Sequence, residues 1–227
     1  SLSTHMVVLR SCGNIRTTLW RPDSTPSDKK VEKIFVPGLT SADQGHNPQG
    51  VNAGAEGNGL REQDVTYNVG VDLAGLLNDD PRFEARLSRN TPTESLGTSN
   101  ASSLQARVNM ANSWPANYFI SIHCNANSNP AINGSEVYVY QEGTQAYWLA
   151  QHILNAVVEQ AGTRNNGVRL NPSLYVLRKT KMPAVLVELG YLTNRSDAQK
   201  LRDNQPDFAR GIYYGLLSYF GFSPTNR

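Results

Sequence analysis

Three short apolar runs of this chain each lead to a side chain that metal sites use. One run ends at His123, a second ends at Glu188, and residues 34–36 lead through a loop to His46. In an open α/β sheet, ligands bind in the crevice outside the carboxyl ends of the strands. We therefore expect these side chains to converge, and the pattern indicates a metal-dependent hydrolase.

The composition is that of a globular protein of one domain. The chain has 227 residues, of which 39% are hydrophobic, and a formal net charge of +2. This length can bury a full core. The absence of a Lys/Arg run argues against a nucleic-acid partner. No apolar run approaches the roughly 20 residues that a membrane span needs.

The ends of the chain differ from its middle. Residues 1–6 resemble residues left by cloning, and the polar character that follows predicts an N-terminal tail or linker over residues 1–33. We expect a catalytic domain over residues 34–222 and a C-terminal tail over 223–227. Any secretion signal is expected outside the printed sequence.

Two cysteines, Cys12 and Cys124, are too few for a disulfide framework. Successive side chains of a strand point to opposite faces, so Cys124 should face away from His123. We expect it to be a small buried hydrophobic residue rather than a ligand.

Apolar periodicity gives the order of helices and strands. It predicts helices at residues 62–77, around 104–111, at 145–161, from 196 and at about 208–220. It predicts strands at residues 34–36, 83–89, 118–122, 136–140, 174–178 and 184–189. Strands that alternate with helices indicate an α/β fold, a three-layer sandwich in which helices flank a mostly parallel sheet of about six strands.

The histidines narrow the choice of metal ligands. Catalytic zinc takes three protein ligands from histidine and carboxylate side chains and keeps one position open. His5 lies in the predicted tail, and His152 lies in a helix without an acidic or histidine neighbour. His46 and His123 remain as candidates.

Glu62 is the best candidate for a carboxylate ligand. It opens a helix directly after the Gly-rich stretch of residues 50–59, which can fold back toward His46. Glu56 is the alternative ligand. A first-turn glutamate stabilised by the helix dipole explains Glu62 equally well without a metal.

Glu188 ends an apolar strand, where a carboxylate is costly to bury unless a charge or a polar group compensates it. A metal-bound water or a substrate amide would do so. A structural ion pair with Arg89 or Arg107 is the alternative.

Asn125, two residues after His123, could contact substrate or stabilise a loop, and Arg89 could bind a substrate carboxylate or a structural acid.

Seven segments, in this order, resemble one known family. They are DQGH at 43–46, GLRE at 59–62, LSR at 87–89, RVNMAN at 107–112, ISIHCN at 120–125, NGSEVY at 133–138 and PAVLVELGYLTN at 183–194. Together they resemble the zinc-dependent N-acetylmuramoyl-L-alanine amidases of the Amidase_3 type, and the resemblance extends over residues 34–221.

The resemblance implies a secreted or cell-wall-associated bacterial enzyme that acts on peptidoglycan. It would cut the amide between N-acetylmuramic acid and the L-alanine of the stem peptide. By the same resemblance, His46, Glu62 and His123 would bind Zn²⁺. Glu188 would be the catalytic general acid and base for a zinc-activated water. We expect a monomer.

Two departures from the family pattern stand out. Residues 37–42 separate the predicted strand at 34–36 from the DQGH segment, so we expect a loop insertion there. Cys124 stands where the family more often has alanine.

Three alternative functions remain open: a metal-independent glycan hydrolase that uses Glu62 and Glu188, an inactive wall-binding module, and a zinc peptidase that cuts within stem peptides.

Overall fold

A mixed β-sheet with helices on both faces forms the protein in this computed structural model, which describes residues 38–224. The strands are β1 Gly38–Gln44, β2 Glu56–Gly57, β3 Leu60–Arg61, β4 Phe83–Leu87, β5 Tyr118–Asn125, β6 Ser135–Val139, β7 Asn165–Leu170 and β8 Ala184–Tyr191. The helices are α1 Glu62–Asp79, α2 Asn100–Ser113, α3 Gln145–Ala161, α4 Tyr175–Lys179, α5 Arg195–Asp203 and α6 Gln205–Phe220.

Six strands form the main sheet in the order β4-β1-β5-β8-β6-β7. Strands β4, β1, β5 and β8 are parallel, β6 is antiparallel to β8, and β7 is parallel to β6. The two short strands β2 and β3 form a separate antiparallel pair. The prediction of a mostly parallel sheet of about six strands is confirmed.

Two apolar clusters fill the layers on either side of the sheet. The larger one packs α1, α3 and α6 against the sheet, with Leu73, Ile153 and Leu216 among its fully buried members. The smaller one packs α2 and α4 against Phe119 and Leu186 on the opposite face. This arrangement confirms the three-layer sandwich.

Local signals set the ends of α3 as the sequence predicts. The Thr144 hydroxyl accepts a hydrogen bond from the Tyr147 amide at the first turn. Gly162 ends the helix in the left-handed conformation, with φ of 64°. Cys124 is a buried free cysteine within the larger apolar cluster, as expected.

The strand that leads to His46 differs from the predicted one. The predicted strand at 34–36 lies outside the described residues, and residues 38–42, which we expected to be a loop insertion, belong to β1. Thr40, Ser41 and Ala42 are buried there between β4 and β5. These side chains are too small and too polar to give the apolar signal of a central strand, which explains the error.

The region between α3 and β8 was also predicted wrongly. The predicted strand at residues 174–178 falls on the short helix α4, Tyr175–Lys179. A run of four or five apolar residues fits either structure, so periodicity cannot decide between them. The strand in this region is β7, at the end of the sheet, and its largely polar sequence gave no strand signal.

Within residues 38–224, no helix is long and apolar enough to cross a membrane.

Close contact between α3 and α6 gives a stability prediction. A Cβ atom on Gly215 would lie 2.4 Å from the Ile153 Cα, so Gly215→Ala should lower the free energy of unfolding by about 1–3 kcal/mol. Gly75 on α1 has open space around it, and Gly75→Ala should raise that free energy by up to about 1 kcal/mol. Urea denaturation measures both, and equal shifts of the two variants would contradict this packing.

Candidate metal centre

Three elements bring their side chains to one point at the carboxyl ends of β1 and β5. His46 follows β1, Glu62 is the first residue of α1, and His123 lies near the end of β5. The chain passes very close to His123 on its way to His46, because a Cβ on Gly45 would lie 2.5 Å from His123 Cε1. Only glycine fits at position 45 without displacing the histidine.

The Glu62 carboxylate is the centre of this cluster. Its Oε1 atom lies 3.1 Å from His46 Nε2 and 2.9 Å from His123 Nδ1. The Cys124 amide donates to the same oxygen at 3.0 Å, and the Ala55 amide donates to Oε2 at 2.9 Å. The backbone thus fixes both oxygens of a carboxylate that opens a helix.

Charge and hydrogen bonding keep Glu62 ionised. Burial alone raises the pKa of a carboxyl group, but hydrogen bonds from His123 and His46 outweigh this and hold the pKa of Glu62 well below its usual range. Its side chain is 5% exposed, whereas those of His46 and His123 are 20% and 18% exposed. The carboxylate is therefore buried under two partly accessible imidazoles.

The spacing of the cluster fits a single metal ion. Ligands about 2.0–2.1 Å from a tetrahedral zinc lie about 3.3 Å from one another. The ligand atoms of His46, Glu62 and His123 all lie within 4.8 Å of one another, and two of the separations are about 3 Å. His46 Nδ1 lies 3.2 Å from the Asn52 carbonyl oxygen, which leaves Nε2 to face the cluster.

A buried ion pair supports the strand end beside His46. Arg107 Nη1 donates to Asp43 Oδ1 at 2.7 Å, and both side chains are 1% exposed. Arg107 also donates to the carbonyl oxygens of Gln44 and His46, and Ser121 Oγ donates to Asp43 Oδ2 at 2.7 Å. Burial raises the pKa of Asp43, but the charge and hydrogen bonds of Arg107 hold it below its usual value.

His46 depends on this support because its backbone is strained. Its φ is 69°, in the left-handed region that few residues other than glycine adopt. Arg107 holds the His46 carbonyl, and Asn52 contacts its ring. Together they fix a conformation that aims Nε2 at Glu62.

Glu188 lies on β8 directly beside His123 on β5, with which it is in register. Its Oε2 atom is inaccessible and has no hydrogen-bond partner in the described part of the chain. Burial raises the pKa of Glu188 well above its usual value, and the charges of Glu62 and Glu136 add to this. A buried, unpaired carboxylate oxygen beside a cluster of candidate metal ligands is a feature of functional sites.

Glu136 continues the same row of residues on β6, in register with Glu188. Its Oε1 accepts hydrogen bonds from Asn125 Nδ2 at 2.7 Å and from the hydroxyls of Tyr138 and Tyr191 at 2.9 Å and 3.4 Å. Its Oε2 accepts from Arg169 Nε at 2.7 Å. The amide of Asn125 is therefore turned toward a buried acid.

Arg89 is fully buried and contacts the backbone of the residue that follows Glu62. One terminal nitrogen donates to the Gln63 carbonyl oxygen at 2.7 Å, and the guanidinium lies 5.1 Å from the centroid of the Tyr67 ring. Burial and the charge of nearby Arg107 lower the pKa of Arg89 to about 10. Both Arg89 and Arg107 are thus engaged away from Glu188.

The other acid and histidine candidates lie apart from the cluster. Glu56, the alternative ligand, is exposed and lies 3.6 Å from Arg61 in an ion pair. His152 Nδ1 lies 2.8 Å from Ser218 Oγ on α6. His5 lies outside the described residues.

Two cavities differ in their relation to this centre. One of about 120 Å³ adjoins His46 and His123 and is bounded by Leu104 and Val176. A larger groove of about 640 Å³ runs along the edge strand β4, beside Trp114. Of these two cavities, the smaller one contacts the cluster of His46, Glu62 and His123 and is the candidate for substrate access.

Comparison with known proteins agrees with this geometry. The Amidase_3 family, described as N-acetylmuramoyl-L-alanine amidase, matches residues 41–218. The chain belongs to this family. The crystal structure of an N-acetylmuramoyl-L-alanine amidase from Clostridium difficile 630 superposes with a TM-score of 0.73 at 30% identity and covers 83% of this chain and 99% of that one.

Other relatives show the same relationship. N-acetylmuramoyl-L-alanine amidase AmiC2 of Nostoc punctiforme matches with a TM-score of 0.70 at 35% identity, over 81% of this chain and 97% of that chain. N-acetylmuramoyl-L-alanine amidase LytC of Bacillus subtilis is 38% identical over 83% of this chain. The chain spans only 36% of the length of LytC.

Sequence reasoning did not assign roles to Asp43, Glu136 or Arg169. Asp43 and Glu136 were part of the family motifs, but no local pattern shows their partners, which lie 64 and 33 residues further along the chain. A charged residue inside a strand of small buried side chains is the one signal that could have indicated the Asp43 ion pair.

The ion pair behind His46 can be tested directly. Arg107→Gln removes the charge that compensates buried Asp43, so the free energy of unfolding should fall by about 3–5 kcal/mol. Arg210→Gln, which breaks a partly exposed pair with Asp207 on α6, should cost less than about 1 kcal/mol. Chemical denaturation gives both values, and a cost for Arg107→Gln as small as that for Arg210→Gln would contradict the role of this pair.

Proposed function

We propose that the chain is a zinc-dependent amidase that hydrolyses the bond between N-acetylmuramic acid and the L-alanine of the stem peptide. The observation that carries this proposal is the cluster of His46, Glu62 and His123 with Glu188 beside it in register. Membership of the amidase family specifies the bond. Two imidazoles and one carboxylate are a donor set typical of catalytic zinc.

The residues of the cluster and those that support it would have separate roles. His46 Nε2, His123 Nδ1 and one oxygen of Glu62 would hold the ion. A zinc ion bound there would act as a Lewis acid, lowering the pKa of water and polarising a carbonyl group. The Arg107–Asp43 pair and Asn52 keep His46 in its strained conformation, so the ligands are positioned before any ion binds.

Glu188 would carry the proton in the proposed reaction. As general base, the carboxylate of Glu188, of which Oε2 has no hydrogen-bond partner in the described part of the chain, would accept a proton from the attacking water. As general acid, it would return that proton to the departing amine of L-alanine, so one carboxylate serves both steps. Asn125, whose amide donates to Glu136, is a candidate for contact with substrate, whereas the burial of Arg89 favours a structural role.

The cellular setting follows from the substrate. We propose that the enzyme acts on peptidoglycan outside the cytoplasm, secreted or associated with the cell wall, and works as a monomer. Its catalytic domain would extend over residues 34–222, with tails on either side.

Loss of the proton carrier gives the first test of this function. Glu188→Gln keeps the size of the side chain but cannot accept a proton, so kcat should fall by about 10²–10⁴-fold while zinc content is retained. Glu159→Gln, an exposed change on α3, is the matched control and should be fully active. Mass spectrometry of digested peptidoglycan should show intact stem peptides with free N-terminal L-alanine. Wild-type activity in Glu188→Gln would refute the role of Glu188.

Metal dependence gives the second test. Chelation should abolish hydrolysis and added zinc should restore it, because the two imidazoles and the carboxylate cannot act as a Lewis acid without a metal ion. His123→Ala should lose stoichiometric zinc, measured by elemental analysis, whereas His152→Ala on α3 should keep it. Hydrolysis that survives complete chelation, or full zinc content in His123→Ala, would contradict the proposal.

A further inference from the structure

Arg169 on β7 is a half-exposed arginine that is tethered through a single nitrogen. Its Nε donates to Glu136 Oε2 at 2.7 Å, while 51% of its side chain is exposed. Its two terminal nitrogens donate to no residue in the range 38–224. The edge formed by these two nitrogens, which can pair with a carboxylate through two hydrogen bonds, therefore has no partner within residues 38–224.

The tether itself is rigid. The side chain of Glu136 is 3% exposed, and Asn125, Tyr138 and Tyr191 all donate to its other oxygen. A carboxylate held at both oxygens has little freedom to move, so it fixes the position of the arginine bound to it. This arrangement orders Arg169 before any ligand arrives, which lowers the entropic cost of binding.

Sheet register places this arginine on the same side as the metal centre. His123, Glu188 and Glu136 are successive partners across β5, β8 and β6, and Arg169 is the partner of Tyr138, two residues after Glu136. Side chains two residues apart on a strand share a face. With about 4.8 Å between strands, Glu136 lies about 10 Å from His123 across the sheet. The Arg169 guanidinium, whose Nε lies 2.7 Å from Glu136 Oε2, therefore lies at about this distance or slightly beyond it, on the side of β7.

That distance suits a peptide that extends away from the metal centre. An extended chain advances about 3.3–3.6 Å per residue, so about 10 Å corresponds to the second or third residue beyond the bond that is cut. A carboxyl group of the substrate at either of these positions would meet the guanidinium as a free acid or as an amide. A positioned guanidinium discriminates between the two, because only the carboxylate forms a charge-assisted bidentate pair.

We infer that Arg169 binds a carboxylate of the stem peptide and gives the enzyme a preference for substrates in which this group is not amidated. This inference rests on the proposed function. Arg169 is a substrate-binding residue in this account, and Glu136 is the positioning residue that aims it.

The experiment compares two muropeptides. They differ only in one group on the second or third residue, which is a carboxylate in one substrate and a carboxamide in the other. For the wild-type protein, kcat/KM should be roughly tenfold or more higher for the carboxylate form. The double variant Glu136→Gln/Arg169→Gln replaces the ion pair by two neutral side chains and leaves no unpaired buried charge. Its preference ratio should fall to about 1, with the loss for the carboxylate substrate appearing in KM.

Arg210→Gln, on α6, is the control for loss of an arginine far from the site and should keep the wild-type ratio. A wild-type ratio near 1, or a double variant that keeps the wild-type ratio, would overturn the inference while leaving the amidase function intact. An equal fall of kcat/KM on both substrates would also overturn it, since that is the effect of a purely structural role. No hydrolysis of either substrate by the wild-type protein would contradict the proposed function and this inference with it.

Discussion

The site depends on one buried carboxylate. Glu62 opens α1 where the backbone amides of Cys124 and Ala55 donate to its two oxygens, and it lies under two imidazoles. A carboxylate in such a place is costly unless cations or donors surround it. The same interactions that make its burial tolerable orient one oxygen toward His46 and His123, so folding stability and the proposed metal site depend on a single set of contacts.

Parallel strands explain why these residues meet. The carboxyl ends of β1, β5 and β8 lie at the same edge of the sheet, and register then sets His123 beside Glu188. The loop after β1 needs further support, because His46 has a left-handed backbone. The buried pair of Asp43 and Arg107 provides it by joining β1 to α2 and holding two carbonyl groups. In other proteins, replacing such a pair by apolar groups is often neutral for stability, but here the pair also fixes His46, a proposed ligand.

Much of this architecture could be predicted from sequence because long elements with strong periodicity carry their own signal. The helix that Glu62 opens and the apolar strand that ends at Glu188 are examples. The remaining strands and contacts could not be predicted from the sequence, for physical reasons. β1 is built from small polar residues that are buried only because neighbouring strands cover them, and β7 is a polar strand at the end of the sheet. Contacts such as that of Glu136 with Arg169 depend on strand order, which no local pattern contains.

Anomalous diffraction at the zinc absorption edge, on crystals grown with zinc, tests the central claim most directly. We expect one strong peak within bonding distance of His46 Nε2, His123 Nδ1 and a Glu62 oxygen, with Glu188 outside the inner ligand set. A structure in which the peak lies elsewhere, or in which these three side chains do not share an ion, would contradict the account.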